Sequence, residues 1–186
     1  MAHGNIGASG FVSGKTLAAC NDTTPFLPGQ VGKVISFPGD QGGVNTKTLS
    51  GIYQYVQRTA GDTVAMVPGS VLFWADHDDF VVTDDPALSV GAAAQNFPAG
   101  VALGTLPAAG KYGWIQVGGI APIKTGASVE TVGFPLIVSA VTPGAAVLQA
   151  ATTLADAFKP VIAKVITTNT AAGTLQARLQ LNRNGW

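Results

Sequence analysis

The side chains that could do chemistry are few, and the densest group of them lies in the stretch DHDDFVVTDD, residues 76–85. This stretch holds five of the ten acidic residues together with His77, and alternating carboxylates in a loop can bind calcium. It lacks the central glycine and the final glutamate of a helix-loop-helix calcium site. A zinc site would need more histidine or cysteine ligands, and the other histidine of the chain, His3, lies far away in the sequence. The pattern favours a solvated turn between strands, with an opportunistic cation site as the alternative.

Two other patterns match reactive motifs only in part. The stretch SGKT, residues 13–16, has the end of a phosphate-binding loop, but that loop needs a glycine where this chain has Ser9. Cys20 is the single cysteine, which excludes an internal disulfide and a cysteine-rich metal site. The sequence contains no Gly-x-Ser-x-Gly nucleophile elbow. We therefore expect that the protein is not an enzyme and that it uses no metal and no cofactor.

The composition points in the same direction. Charged residues make up 11% of the 186-residue chain, against about 25% in an ordinary soluble protein, and the net charge is zero. Nucleic-acid binding requires clustered cations, so we expect no nucleic-acid partner. Hydrophobic residues make up 47%, which indicates either a surface covered by partners or a surface of small uncharged residues. Two charge-free stretches, 86–110 and 131–155, are broken by proline and glycine, so we expect no membrane span.

Residues 1–33 form a glycine-rich segment in which neither the period of a strand nor that of a helix persists. We expect an extended N-terminal arm in front of a single β-rich domain formed by residues 34–186. Isolated apolar residues of this arm need burial, either on the parent domain or on a neighbour. Three of them are the candidates for contact with a partner: Phe11, Leu17 and Phe26.

From residue 34 onward the sequence favours β-structure. The stretch GIYQYVQRTA, residues 51–60, alternates, and short β-branched or aromatic runs follow it, separated by turn residues. We expect a mainly β fold, an antiparallel β-sandwich or a barrel-like domain, with few or no long helices. The best helix candidate, 144–160, is equally compatible with a strand followed by a loop. The strand-like runs predict a core that contains three aromatic residues: Tyr53, Tyr55 and Trp114.

Two segments have the pattern of β-hairpins, 101–117 and 162–181. In each of them the sequence Ala-Ala-Gly lies at the expected turn, and its glycine, Gly110 or Gly173, is expected to supply a positive φ. In the second segment, apolar residues alternate with polar residues after the turn. This alternation predicts a strand with one buried and one solvated face.

Several of these predicted strands resemble motifs of a known family. One is GKVISFPGD followed by GIYQYVQRTAGDTVAMVPGSVL, with its tyrosine-rich strand, and another is AGKYGWIQVGGIAPIKTG. Together with VGFPLIVSAVTPGAAVL and the final hairpin, they resemble the head decoration proteins, or capsid cement proteins, of tailed bacteriophages. The resemblance covers residues 33–181. Neither the arm nor the DHDD turn has a counterpart in it.

The resemblance implies a β-rich virion protein, often trimeric, on the outer surface of an icosahedral head. It implies no enzymatic activity, and its expected partners are the major capsid protein, whose adjacent subunits it bridges, and further copies of itself. On this interpretation the three arm residues become the candidates for capsid contact. One alternative is another part of the phage particle, such as a head fibre base or a neck or tail protein. The other is a carbohydrate-binding β-module that exposes Tyr53, Tyr55 or Trp74 and binds calcium at the DHDD turn.

Overall fold

The computed structural model describes residues 31–32, 34–37, 51–62, 66–88, 97–103, 110–127, 129, 131–139, 142–149 and 160–181. These residues form ten β-strands: β1 Val34–Phe37, β2 Gly51–Arg58, β3 Val71–Asp76, β4 Val81–Thr83, β5 Pro98–Ala102, β6 Tyr112–Thr125, β7 Pro135–Val138, β8 Ala146–Leu148, β9 Val161–Val165 and β10 Gly173–Leu179. A short 3-10 helix follows β4 at Pro86–Leu88. In the part of the chain that the structure describes, no helix is long and apolar enough to cross a membrane.

Strands β2 to β6 form a closed ring, which we call the first ring. Around it, β2 pairs with β4, β4 with β3, β3 with β5, β5 with β6, and β6 again with β2. All of these pairs are antiparallel except β2–β4, in which Gln57 lies beside Val81. Strand β1 extends the sheet by pairing with the first half of β2.

The second ring is built on the same long strand, β6. Its C-terminal half, residues 120–125, pairs with β10, and the ring continues from β10 to β9, β7 and β8. A parallel contact between Thr125 and Ala146 closes the ring back onto β6. The N-terminal half of β6, residues 112–119, pairs with β2 in the first ring. The two rings therefore share β6 as a common wall.

Strand β3 links the cores of the two rings. Its first four residues, the sequence VLFW, are all buried. Leu72 and Trp74 pack in the core of the first ring, whereas Val71 and Phe73 pack with the core residues of the second ring. A strand that is covered on both faces has a continuous apolar sequence, and this is why β3 shows no alternation.

The fold class expected from the sequence is confirmed, because the described part of the chain is mainly β, barrel-like and without a long helix. Two parallel pairs, β2–β4 and β6–β8, depart from the expected antiparallel arrangement. They arise where strands that are distant in sequence meet to close each ring. The candidate helix contains strand β8, and residues 150–159 lie outside the described residues, as do residues 1–30 of the expected arm.

The hairpin expected at 162–181 is present as β9 and β10, in which Ala177 lies opposite Val165. Its second strand alternates as predicted, because Leu175, Ala177 and Leu179 are buried and the residues between them face outward. The predicted role of one glycine is wrong. Gly110 has a φ of 81°, but Gly173 already belongs to β10 and does not have a positive φ.

Candidate interaction surface

A buried glutamine organises the passage of β6 from one ring to the other. In the register of β2 against β6, the partner positions jump from Gly118 to Gln116, so Val117 is an extra residue, as in a β-bulge. The fully buried side chain of Gln116 donates from Nε2 to the carbonyl oxygens of Gly118 (3.0 Å) and Ile120 (2.9 Å). The amide group therefore supplies donors to backbone acceptors where the regular ladder is interrupted.

Glycines around this glutamine allow the close packing. A Cβ atom at Gly51 would lie 2.7 Å from Gln116 Nε2 and 2.7 Å from the carbonyl oxygen of Gly118, so a larger residue does not fit. Gly119 has a φ of 92°, a conformation that other residues rarely adopt. The WIQVGG sequence thus bends strand β6 so that it can pair in both rings. It brings no reactive group to the surface.

The aromatic residues of the motif strands pack against one another. Tyr53, Tyr55 and Trp114 are at most 2% exposed, and the ring centroids of Tyr55 and Trp114 are 5.1 Å apart. Burial raises the pKa of the Tyr53 hydroxyl to about 12. Trp74 is also buried, at 6% exposure. The expectation that Tyr53, Tyr55 or Trp74 is exposed for stacking on sugars is therefore wrong, because sheet packing covers all three rings.

The acidic stretch connects β3 to β4 as a turn. Asp76 Oδ1 accepts hydrogen bonds from the backbone N–H groups of Asp78 (3.0 Å) and Asp79 (3.3 Å), so one carboxylate fixes the turn. The ring of His77 packs edge-on against Trp74, with centroids 5.2 Å apart. Over the described ranges, no three His, Cys, Asp or Glu side chains are grouped in a way that could hold a metal ion. We call residues 76–79 the acidic turn.

A separate group of charged residues is buried. Arg58 Nη2 lies 3.0 Å from Asp62 Oδ1 and 3.8 Å from Asp84 Oδ1. The Thr83 hydroxyl and the backbone N–H of Asp84 donate to Asp62 Oδ2, at 2.9 and 3.3 Å. The exposed fractions of Arg58, Asp62 and Asp84 are 5% or less. Two carboxyl groups therefore share one guanidinium inside the protein.

The pKa values of the two carboxyl groups move in opposite directions. Burial, followed by the neighbouring Asp62, raises the pKa of Asp84 to about 7, and Arg58 only partly offsets this. Burial also acts against ionisation of Asp62, but hydrogen bonds from Asp84, Arg58 and Thr83 outweigh it and hold the pKa of Asp62 below its ordinary value. At pH values below about 7 the proton is therefore held mainly by Asp84, which leaves Arg58 and Asp62 as a neutral pair.

The backbone of Asp84 also connects the two rings. Its carbonyl oxygen accepts a hydrogen bond from Gly144 N (2.9 Å), and the Gly144 carbonyl accepts one from Val71 N (2.8 Å). These two hydrogen bonds connect the end of β4 and the start of β3 to the turn before β8. The buried charged residues therefore lie where the two rings meet.

Six large hydrophobic side chains in the described part of the chain are exposed: Val34, Val67, Leu88, Phe97, Val132 and Phe134. Two of them flank a single glycine, and they are exposed by 61% (Val132) and 48% (Phe134). Gly133, with a φ of 83°, donates from its backbone N–H to the Val165 carbonyl (2.9 Å), and Val165 N donates to the Phe134 carbonyl (3.0 Å). This apolar turn is therefore fixed to strand β9.

A second loop is held close to this turn by Asn169. Val129 and Asn169 exchange backbone hydrogen bonds of 3.0 and 2.9 Å, and Asn169 Oδ1 accepts a further bond from Val129 N (2.8 Å). Asn169 Nδ2 also donates to Thr125 Oγ1 (2.9 Å). We call residues 131–134 and 167–172 the apolar tip, because Val132 and Phe134 are exposed there and neither segment contains a charged residue. Hydrogen bonds to Val165, Val129 and Thr125 thus fix the backbone of the tip.

The residues expected from the sequence to be functional are only partly placed by the structure. Phe11, Leu17 and Phe26 lie outside the described residues. The apolar tip was missed, and its signal is the sequence TVGFP, in which two large apolar residues flank a glycine before a proline. The buried charged group was missed because Asp84 was assigned to a solvated turn and no role was assigned to Asp62. Its signal is the four-residue spacing of Arg58 and Asp62.

Comparison with known proteins gives limited information. No family model matches the chain, and no curated protein matches it. The solved structures that are similar include the head fiber gp8.5 N base in bacteriophage phi29. The two chains are 11% identical, with a TM-score of 0.46, and the match covers 69% of this chain and 92% of the phage chain. This TM-score is too low for the similarity to decide the role of the chain.

Proposed function

We propose that this chain is a structural component of a tailed-phage head and that the chain itself has no catalytic activity. In this role it binds the outer surface of the shell as a homotrimer and bridges adjacent major capsid subunits. The observation that carries the proposal is the apolar tip, where Val132 and Phe134 are exposed on loops fixed by hydrogen bonds. The YQYV and GWIQVGG strands support it, because their sequences resemble those of head decoration proteins.

The tip has the physical properties of a docking surface. Loops whose backbone is already fixed lose little conformational entropy on binding. Burial of each large apolar side chain contributes about 1 to 2 kcal/mol, so a single tip binds weakly. Several tips on one oligomer would contact neighbouring shell subunits at a high effective concentration. A protein that binds only the assembled shell stabilises that shell by mass action.

The first prediction concerns the double variant Val132→Ser and Phe134→Ser. We expect it to bind shell particles at least about tenfold more weakly than the wild type, because two central apolar contacts are removed. Occupancy is measured by co-sedimentation of the purified protein with particles that lack it. The matched control is Val67→Ser with Phe97→Ser, which removes an exposed valine and an exposed phenylalanine from the segments that precede β3 and β5. The control should retain wild-type occupancy.

The possible results separate the candidates. Equal binding by the tip variant and the wild type would exclude the tip from the interface. Failure of the wild type to bind any shell particle would overturn the proposed function. Cryo-electron microscopy of the native particle distinguishes the alternatives: a decoration protein occupies many equivalent positions on the shell, a head fibre base lies only beneath fibres, and a neck protein lies at one vertex.

A further inference from the structure

Two cations lie side by side on the outer face of the second ring. Arg178 in β10 is directly opposite Lys164 in β9, and both side chains are exposed. Residues directly opposite in an antiparallel pair share one face, with Cβ atoms about 5 Å apart, and like charges there repel each other. Neither cation forms an ion pair with another described residue. Among the described residues nothing offsets this repulsion, and an anionic partner would relieve it.

The neighbours of these cations carry no charge. The row of residues across the sheet runs from Ile120 in β6 through Arg178 and Lys164 to Pro135 in β7. Both flanking residues are half-buried. The surface is thus a small cationic centre with apolar margins, which fits a protein loop with two adjacent carboxylates. It is too small for a strand of nucleic acid, whose binding needs an extended cationic track.

A surface of this complementary kind exists on the same chain. The acidic turn exposes Asp78 and Asp79 side by side at the end of the first ring, and Asp76 fixes its backbone. Charge is also divided along the sequence. Residues 1–85 contain eight acidic and four basic residues, whereas residues 86–186 contain two acidic and six basic residues. The net charges of the two halves are therefore −4 and +4, and they cancel in a neutral chain.

We propose that the Lys164–Arg178 pair of one copy binds the acidic turn of a second copy. Because the two surfaces are different, the contact is head-to-tail. Such contacts form a closed cyclic oligomer when the rotation between copies permits it. This inference deepens the proposed function by assigning the surface of self-association. Its test uses the purified 186-residue chain and no shell, so it can fail while the shell-binding proposal survives.

The experiment measures self-association by sedimentation velocity at low and at high salt. We expect the wild type to dissociate as salt rises, because exposed ion pairs are screened. Lys164→Gln with Arg178→Gln should weaken the association constant on the order of tenfold. The matched control, Thr142→Glu with Thr174→Glu, changes the net charge by the same amount at two exposed positions and leaves the cation pair intact. It should associate like the wild type.

A charge exchange makes the test specific. Asp78→Lys with Asp79→Lys should weaken association, as should Lys164→Glu with Arg178→Glu, and the chain that carries all four changes should regain it. Three results would overturn the inference: association that does not depend on salt, a wild type that is monomeric, or a four-fold variant that associates no more strongly than the two double variants. The inference would also be overturned if Lys164→Gln with Arg178→Gln left self-association unchanged. In that case loss of binding to shells, or to a labelled DNA duplex, would identify a different partner for the two cations.

Discussion

At the scale of single residues, Asp84 is the group whose protonation is most closely linked to folding. It lies in the interior beside Asp62, and one guanidinium, Arg58, serves both carboxyl groups. The pKa of Asp84 rises from 3.8 to about 7 on folding, so the folded protein holds a proton that the unfolded chain has released. Stability from this group is complete below pH 3.8 and is lost as the pH rises to about 7.

The substitution Asp84→Asn tests this linkage. The amide keeps the size of the side chain and a donor for Asp62, and it carries no charge at any pH. We expect the variant to be more stable than the wild type by about 1 to 3 kcal/mol at pH 8, and to lose most of the decline in stability between pH 4 and 7. Urea unfolding followed across this pH range gives both quantities.

The control for this effect is Asp85→Asn. Asp85 is only partly buried and accepts a hydrogen bond from Ala87 N (2.9 Å), so its amide variant should keep the wild-type dependence on pH. If Asp84→Asn lowered stability at pH 8, or kept the full slope, the shared proton would have to be placed elsewhere. The spacing of Arg58 and Asp62 is a local signal for their pair, but Asp84 joins them only after β2 and β4 have paired in parallel, so no local pattern predicts the whole group.

At the scale of the elements, β6 depends on one side chain. Without Gln116 the carbonyl groups of Gly118 and Ile120 lose a donor inside the protein, and a cavity is left. We expect Gln116→Ala to lower the free energy of unfolding by about 2 to 4 kcal/mol. Equilibrium unfolding in urea measures this loss.

Two further variants separate the lost hydrogen bonds from the lost volume. Gln116→Glu has the same shape but no donor when ionised, so it should be less stable at pH 8 than at pH 5. Gln176→Ala, at a half-buried position on β10, should change stability by about 0.5 kcal/mol or less. A Gln116→Glu protein as stable as the wild type at pH 8 would show that these bonds contribute little.

The same strand shows how far the sequence predicts this fold. The alternation in LQARL predicts the two faces of β10, because it depends only on neighbours along one strand. The bulge at Val117 and the two parallel closures depend on pairing between distant strands, so no local pattern predicts them. Gly173 was misplaced for a related reason: the chain turns over residues 166–172, before the glycine. The apolar tip was missed because exposure depends on which neighbours cover Val132 and Phe134.

At the scale of the whole molecule, the two rings are joined by strand β6, which pairs in both of them, and by strand β3, which contributes side chains to both cores. Strand β6 belongs to both rings, and β3 places Val71 and Phe73 among the core residues of the second ring. At the buried junction, Gly144 also forms backbone hydrogen bonds with Val71 in β3 and with Asp84, the residue that follows β4. Neither ring can lose its packing without exposing residues of the other, so the rings should unfold as a single cooperative unit.

Leu136→Ala tests this cooperativity. Leu136 is fully buried in β7 of the second ring, and its truncation should cost about 2 to 4 kcal/mol. Trp74 and Trp114 both lie in the first ring, so in a background in which Trp186 is replaced by phenylalanine, fluorescence reports on the part of the molecule that the substitution does not touch. We expect the fluorescence midpoint in urea to shift as far as the circular dichroism midpoint. The matched variant in the first ring, Leu72→Ala, should also move both signals together. If Leu136→Ala shifted the circular dichroism midpoint alone, the two rings would be independent folding units.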